Sequence, residues 1–293
     1  MLPKAMRADC GEYSTNPHLM HTRHPQPATR RPLRLRYSMR TFLVVVTLGC
    51  CWLGYHIHSA RRQQGAVEAI RQSGGKVYYA YQVTSGGSPG QGAQSWAPRL
   101  LREPLGNDFF HRAVTAEWTV RTNPEVEAAL RRVTEIGTLR FLRVFGPVSD
   151  AHLVQFSQLK RLEELRVWNA REVTDAGVAP LASLSRLKKL QLDHTQITDK
   201  SLEHISHMPQ IEVLFLNNNQ LTDAGVAHLR RLTRLRELRI DSDPQRPNSV
   251  TDKSLEFLLE LPDLEKLGVK HTGVSKEFLE KIKQRFPNCW ITK

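Results

Sequence analysis

One irregular apolar pattern recurs six times in the C-terminal half of this 293-residue chain. Its anchor residues stand 23 to 29 positions apart, and each is followed by apolar residues three and then five positions later. The six triplets are Leu139, Leu142, Val144; Leu162, Leu165, Val167; Leu187, Leu190, Leu192; Ile211, Leu214, Leu216; Leu235, Leu238, Ile240; and Leu264, Leu267, Val269. A unit this short cannot bury an apolar face alone, so the pattern predicts stacked units around a continuous core.

The second half of each unit is also repeated. An apolar residue, a Ser or Thr and then an Asp precede an apolar stretch in five units, as in Thr174-Asp175 and Thr198-Asp199. The hydroxyl is suited to cap a helix, and an acid in the first turn suits the helix dipole. The sixth unit has Ser275-Lys276 and lacks the acid. Each unit is therefore predicted to be a short strand followed by a helix.

These units resemble leucine-rich repeats of the form L-x-x-L-x-L-x-x-[NT]-x-[ILV]. Their I-T-D-x-G-L half is similar to that of bacterial membrane-tethered repeat proteins. The resemblance implies an α/β fold, a curved solenoid with short parallel strands on the concave side and helices on the convex side. It places six repeats at 138–275 and a C-terminal cap at 276–293. The ninth position is Thr or Asn in three copies but departs at Pro147, Ala170 and Asp243, which weakens any continuous polar ladder there.

Residues 41–60 carry no charge, whereas Arg40 and Arg61 bound them. Twenty helical residues span about 30 Å, the thickness of a bilayer core. Trp52 and Tyr55 lie towards the C-terminal end, as aromatic residues do at a membrane interface. The stretch predicts a transmembrane helix at 41–60.

Three other interpretations of this stretch stay open. A buried helix of a soluble domain would normally show a polar face, and this stretch has none. A cleaved signal peptide needs a short basic region before it, and here that region is long. A lipoprotein signal would make Cys50 the acceptor, although the residues before it match such a signal imperfectly. Translation starting at Met39 would favour either signal.

The segments around the apolar stretch follow from their composition. Residues 1–40 are predicted to be a disordered basic tail. Residues 61–98 are predicted to hold a juxtamembrane helix, a strand near 76–83 and a linker. Residues 99–137 are predicted to be an N-terminal cap, in which Leu100, Leu101, Phe109 and Phe110 begin a packed unit. Five arginines precede the apolar stretch closely and three follow it, which predicts a cytoplasmic N-terminus and a repeat domain outside.

The strand pattern also predicts an exposed, concave face. The leucines point inward, so the residues between them point outward in columns across the strands. Aromatic and arginine side chains, the types enriched at binding hot spots, interleave there. The predicted ligand-binding residues are Phe141, Arg143, Phe145, Arg166, Trp168, Phe215 and Arg239. The alternative for the N-terminal aromatic residues is packing under the cap or under the 76–83 segment.

Composition narrows the function. The net charge of +13 suggests nucleic acid, but residues 138–293 hold 24 basic and 20 acidic residues, a net of only +4. No phosphate-binding glycine loop, zinc-protease motif or nucleophile elbow occurs. His194 and His271 share a column three repeats apart, about 14 Å, too far for one metal. We therefore expect no enzyme, cofactor or metal, and a membrane-anchored module that binds a protein or other macromolecule. The alternative is an envelope protein whose repeats pack on other copies of itself.

The fifth repeat carries an insertion at residues 241–249. It is expected to be either a recognition loop or a tolerated surface insertion.

Overall fold

The computed structural model describes residues 38–90, 94–119, 124–146, 148–244 and 248–293. They belong to two units, Met1–Leu48 and Gly49–Lys293. The predicted disordered tail lies outside the described residues as far as residue 37. So do residues 91–93 of the predicted linker and 245–247 of the insertion.

Helix α1 spans Met39–Gln72 and is longer than the predicted 41–60. Its N-terminal part is long and apolar enough to cross a membrane by length and composition, and none of that stretch is buried. The last turns of α1, by contrast, carry four buried residues, Gln63, Ala66, Val67 and Ile70. These residues are three or four positions apart and so share one helix face, which packs in the core.

The segment between α1 and the repeats adds two strands to the sheet. Its elements are β1 Lys76–Tyr79, α2 Arg99–Leu105, α3 Asn107–Phe110, β2 Ala113–Thr119 and α4 Pro124–Arg132, with 3₁₀ turns at Ala80–Gln82 and Val133–Glu135. Strand β1 pairs antiparallel with β2, and β2 pairs parallel with β3 of the first repeat. The end of α1 and β1 share the core of this segment, so the cap draws on residues before the predicted boundary at 99.

The predicted packing of Leu100 and Leu101 is wrong. Leu100 is 86% exposed and Leu101 is 49% exposed, and no residue of α2 is buried. The core of this segment is formed instead by residues such as Ala66, Ile70 and Trp118, which come from α1 and β2.

The repeats form strands and helices in the predicted order. The strands are β3 Phe141–Phe145, β4 Glu164–Trp168, β5 Lys189–Asp193, β6 Val213–Phe215, β7 Glu237–Arg239, β8 Lys266–Gly268 and β9 Trp290–Thr292. The helices are α5 Asp150–Phe156, α6 Asp175–Val178, α7 Asp199–Ile205, α8 Asp223–Val226, α9 Asp252–Leu255 and α10 Lys276–Arg285. The nine strands form one sheet in sequence order, parallel from β2 onwards.

The repeat core is a set of columns that cross the sheet. The middle leucines of successive repeats are direct neighbours in register, and none is more than 1% exposed. This column consists of Leu142, Leu165, Leu190, Leu214, Leu238 and Leu267. Each leucine is covered by the next repeat, as expected for a solenoid whose units bury one another.

The aspartate of each Thr-Asp pair joins one repeat to the next. Asp175 accepts hydrogen bonds from the amide (2.9 Å) and hydroxyl (2.7 Å) of Thr198 in the following repeat. It also accepts from the amide and hydroxyl of Ser201. The same bond to the following Thr or Ser is made by Asp150, Asp199, Asp223 and Asp252. This aspartate ladder was not apparent from the sequence, where the acid seemed to serve only its own helix.

The aspartate ladder also restricts the residue two positions after the aspartate wherever another repeat precedes it. From the second repeat to the fifth this position holds Gly177, Ser201, Gly225 and Ser254, whereas the first repeat, which no repeat precedes, has His152. A side chain at Gly225 would place its Cβ 2.7 Å from the Cα of Asp199 in the preceding repeat. The position therefore accepts either no side chain or a small hydroxyl that can donate to the carboxylate.

The insertion in the fifth repeat supplies a buried residue. Asn248 is 5% exposed, and its side chain accepts from the amide of Leu221 and donates to the carbonyl of Ile240. In the preceding repeat, Asn219 likewise accepts from a backbone amide, that of Thr195, and donates to the carbonyls of Leu192 and Leu216. The fifth repeat, whose ninth position is Asp243, thus obtains a buried side-chain amide from its insertion.

Candidate binding face

The predicted columns of outward-facing residues match the sheet register. Phe141, Glu164 and Lys189 are neighbours across β3 to β5, as are Arg143, Arg166 and Gln191. We call the side of the sheet that carries these residues, opposite the leucine columns, the open face.

The N-terminal end of the open face is covered, so the prediction that Phe141 and Arg143 are exposed is wrong. Phe141 is 4% exposed, and Gly87 lies against its ring so closely that a Cβ there would be 2.7 Å from Cδ2. Arg143 donates to the carbonyl oxygen of Gly86 at 3.2 Å. A turn at residues 84–90, held by Thr84 and Ser88, forms this cover. The alternative prediction, packing under another segment, therefore applies to Phe141 and Arg143, although the covering segment lies just beyond residues 76–83.

Glu164 sits buried between two arginines. It is 1% exposed, and its Oε1 lies 2.6 Å from Nε of Arg143 and 3.0 Å from Nε of Arg166. A buried carboxylate needs such pairing because its desolvation is otherwise costly. The pairing holds the Arg166 guanidinium in place, and Arg143 also lies 4.0 Å from the carboxylate of Glu117.

The first exposed cluster consists of Phe145, Arg166 and Trp168. The rings of Phe145 and Trp168 meet edge to face, with their centroids 5.6 Å apart. Both are partly exposed, and 35% of the Arg166 side chain is accessible. The cluster combines apolar rings with one positive charge, and its side chains are already held by their neighbours.

The second exposed cluster lies on β6 to β9. The guanidinium of Arg239 stacks over the ring of Phe215, 5.6 Å from its centroid, and contacts Asp241 at 3.5 Å. Trp290 on β9 is 68% exposed. These side chains border a depression of about 460 Å³ whose floor includes Gly268. A Cβ at Gly268 would lie 2.9 Å from Oδ2 of Asp241, so a larger residue there would displace the Asp241 carboxylate.

Trp290 was missed by the sequence analysis. It was assigned to the C-terminal cap because its segment lacks the leucine triplet. In the structure it pairs in register with Lys266 and so extends the first outward column. Counting that column one strand further would have found it.

The ends of four strands are polar and share one backbone conformation. Asn169, His194, Asn218 and His271 adopt positive φ angles between 53° and 60° at equivalent positions. Asp193 accepts from the amide of Asn217, and burial raises its pKa although hydrogen bonds from Gln191 and Asn217 oppose that rise. Within the described residues, no group of three His, Cys, Asp or Glu side chains could hold a metal ion.

Residues 160–221 and 185–244 match a family model described as leucine rich repeat. Residues 160–244 are thus leucine-rich repeats. The matched residues cover the second to fifth repeats, in which the leucine column and the aspartate ladder were found. No curated protein sequence matches this chain.

Several solved structures are similar to it. An internalin from Listeria monocytogenes is 21% identical over 56% of this chain and 52% of its own, with a TM-score of 0.40. Internalin C2 from the same organism is 25% identical over 56% and 65% of the two chains, with a TM-score of 0.44. The plant peptide hormone receptor RGFR1, solved in complex with RGF2, is 13% identical over 60% and 26%, with a TM-score of 0.36. The chain thus covers about half of the first internalin and just under two thirds of the second.

Proposed function

We propose that this leucine-rich repeat protein is a membrane-anchored, non-catalytic module that binds a protein or other macromolecule on its open face. The observation that carries the proposal is the pair of exposed clusters, Phe145-Arg166-Trp168 and Phe215-Arg239-Trp290. Each combines aromatic rings with an arginine, the composition typical of binding hot spots.

The contacts around these clusters favour binding because they limit motion before a partner arrives. Glu164 fixes Arg166, Phe145 supports Trp168, and Phe215 supports Arg239. Side chains that are already ordered lose less conformational entropy on binding. The covered residues Phe141 and Arg143 then act as support for the first cluster rather than as ligand contacts.

Replacing Trp168 or Arg166 with alanine tests the first cluster. We expect each variant to lose about 2 kcal/mol of partner binding, roughly a 30-fold loss of affinity. Trp168→Ala should keep its thermal midpoint, whereas Arg166→Ala should lower it slightly because buried Glu164 loses one of its two arginine partners. The control is Lys200→Ala, which removes an exposed cation from α7. Pull-down from the native membrane extract measures the effect. Equal capture by all three variants and the unchanged protein would remove the open face from consideration.

Helix α1 is the proposed anchor, with the N-terminus cytoplasmic and the repeats outside. The exposed apolar part of α1 and the arginine bias of its flanks support this orientation. Carbonate extraction should leave the protein in the membrane pellet. A C-terminal tag should be cleaved by protease added to cells with an accessible outer surface. A carbonate-soluble protein would contradict the anchor, and a tag cleaved only after lysis would contradict the orientation.

A further inference from the structure

Exposed apolar side chains are concentrated next to the point where α1 enters the core. Outside α1, the described residues include six large apolar side chains that are clearly exposed, and four of them lie between residues 96 and 105. These four are Trp96 (71% exposed), Leu100 (86%), Leu101 (49%) and Leu105 (42%). We call them the 96–105 patch. Apolar exposure so concentrated marks an interaction surface.

The 96–105 patch is tied to α1 by buried hydrogen bonds. The side-chain amide of Gln63 donates to Asp108 and to the backbone carbonyl of His111, both at 2.9 Å. The hydroxyl of Tyr79 donates to the same carboxylate at 3.1 Å. Trp96 contacts the rings of Phe110 and His111, each 5.9 Å away between centroids. The patch is therefore held beside the Gln63 turn of α1.

The exposed apolar part of α1 ends close to that turn. Trp52 is 63% exposed and Tyr55 is 71% exposed. Tyr55 precedes Gln63 by eight residues, about 12 Å along a helix. If α1 crosses a bilayer, the lipid surface lies within about two helical turns of the segment to which the 96–105 patch is fixed.

The charges around the patch are mainly positive. Glu103 is paired with Arg99, and Asp108 is occupied by Gln63 and Tyr79. In the part of the chain that the structure describes, the remaining nearby cations have no carboxylate partner. They are Arg61, Arg62, Arg102 and Arg112, and the nearby acid Glu68 lines the same depression as Arg71, Gly106 and Asp108. Leucine and tryptophan beside unpaired arginines match the interface of an anionic bilayer, where aromatic rings lie at headgroup level.

We propose that the 96–105 patch rests on the surface of the anionic bilayer in which α1 is anchored. The proposal rests on the proposed anchor and adds a second lipid contact to it. A surface helix in addition to the anchor would restrict how the repeat domain tilts above the membrane. The basic tail at the N-terminus is a poor occupant, because its positive charge would meet the positive rim of the patch.

Three exposed tryptophans allow the membrane anchor and the lipid contact of the 96–105 patch to be tested separately. The full-length protein is reconstituted into vesicles of brominated phosphatidylcholine and phosphatidylglycerol, whose bromine atoms quench nearby indole fluorescence. Trp52→Phe reports the anchor, Trp96→Phe reports the patch, and Trp290→Phe is the matched control, since Trp290 is exposed but lies on the repeats. Each variant should keep the thermal midpoint of the unchanged protein.

We expect the quenched fraction of fluorescence to fall in Trp52→Phe and by a comparable amount in Trp96→Phe, and not in Trp290→Phe. A fall in Trp52→Phe alone would overturn the lipid contact of the patch and leave the anchor standing. No fall in either variant would overturn the anchor and this inference together. A detergent-solubilised dimer that Leu100→Glu converts to a monomer would assign the patch to a second copy and overturn the lipid contact.

Discussion

Replacing Asp175 with alanine is expected to destabilise the repeat domain by about 3 kcal/mol. The carboxylate accepts four hydrogen bonds from Thr198 and Ser201 of the next repeat. Hydrogen bonds to a charged group contribute about 1.5 to 3 kcal/mol, and Ser201, which is fully buried, would lose its partner. Denaturant unfolding followed by circular dichroism measures the loss. Asp263→Ala, which removes an exposed carboxylate between repeats, should cost less than about 0.5 kcal/mol.

The pH dependence of stability distinguishes the hydrogen bonds to the Asp175 carboxylate from a packing effect of its side chain. Burial alone would raise the pKa of Asp175, but hydrogen bonds from Ser201 and Thr198 outweigh it and hold the pKa below its ordinary value. A lowered folded-state pKa contributes stability that is fully present above the unfolded value, about 4. That contribution is lost as the pH falls through the folded value. The difference in the free energy of unfolding between Asp175→Ala and the unchanged protein should therefore narrow below about pH 4. A difference that stays constant as the pH falls further would argue against the aspartate ladder.

Gly225→Ala is expected to cost about 2 to 3 kcal/mol, although alanine favours helices more than glycine does. The added Cβ would lie 2.5 Å from Cγ and 2.7 Å from Cα of Asp199. Because the Cα of Asp199 is a backbone atom, the neighbouring repeat would have to shift. That shift would weaken the hydrogen bonds that Thr222 donates to Asp199. Denaturant unfolding again provides the measurement.

Gly137→Ala is the matched control for this substitution. An ideal Cβ at Gly137 meets nothing within 4 Å. Its effect on stability should stay within about 0.5 kcal/mol. If Gly225→Ala proved as stable as Gly137→Ala, the close approach of successive repeats at the aspartate ladder would be wrong.

The repeated part of the fold was predictable because the same apolar pattern occurs independently in each unit. Six copies of the leucine triplet predicted both the buried column and the neighbours in register, such as Leu142 beside Leu165. A one-residue error in any strand would have turned its leucines outward. The outward columns followed from the same alternation, including Arg166 beside Gln191.

The covered residues could not be predicted in this way, because what covers them lies far away in the sequence. Phe141 and Arg143 have the pattern of exposed residues, but the turn at Gly86 and Gly87, more than 50 positions earlier, packs on them. Glu164 is buried as a consequence, since Arg143 closes over it. Periodicity reports which face a residue is on. It does not report whether another segment covers that face.

The contacts between repeats were missed for a related reason. The Thr-Asp pair was interpreted within one helix, where a cap and a dipole are sufficient explanations. Thr198 makes no capping hydrogen bond with its side chain, and its hydroxyl donates to Asp175 of the preceding repeat. Comparing Thr198 with the aspartate 23 residues earlier would have suggested the ladder.

Photo-crosslinking shows whether the open face meets a partner in the cell. A photoreactive amino acid replaces Arg166 on β4 in one variant and Lys200 on α7 in another, and both are expressed in the native cell. We expect a discrete adduct of higher mass from position 166, containing a second macromolecule, and none from position 200. Equal labelling at both positions, or no adduct at 166, would contradict the assignment of the open face as the binding surface.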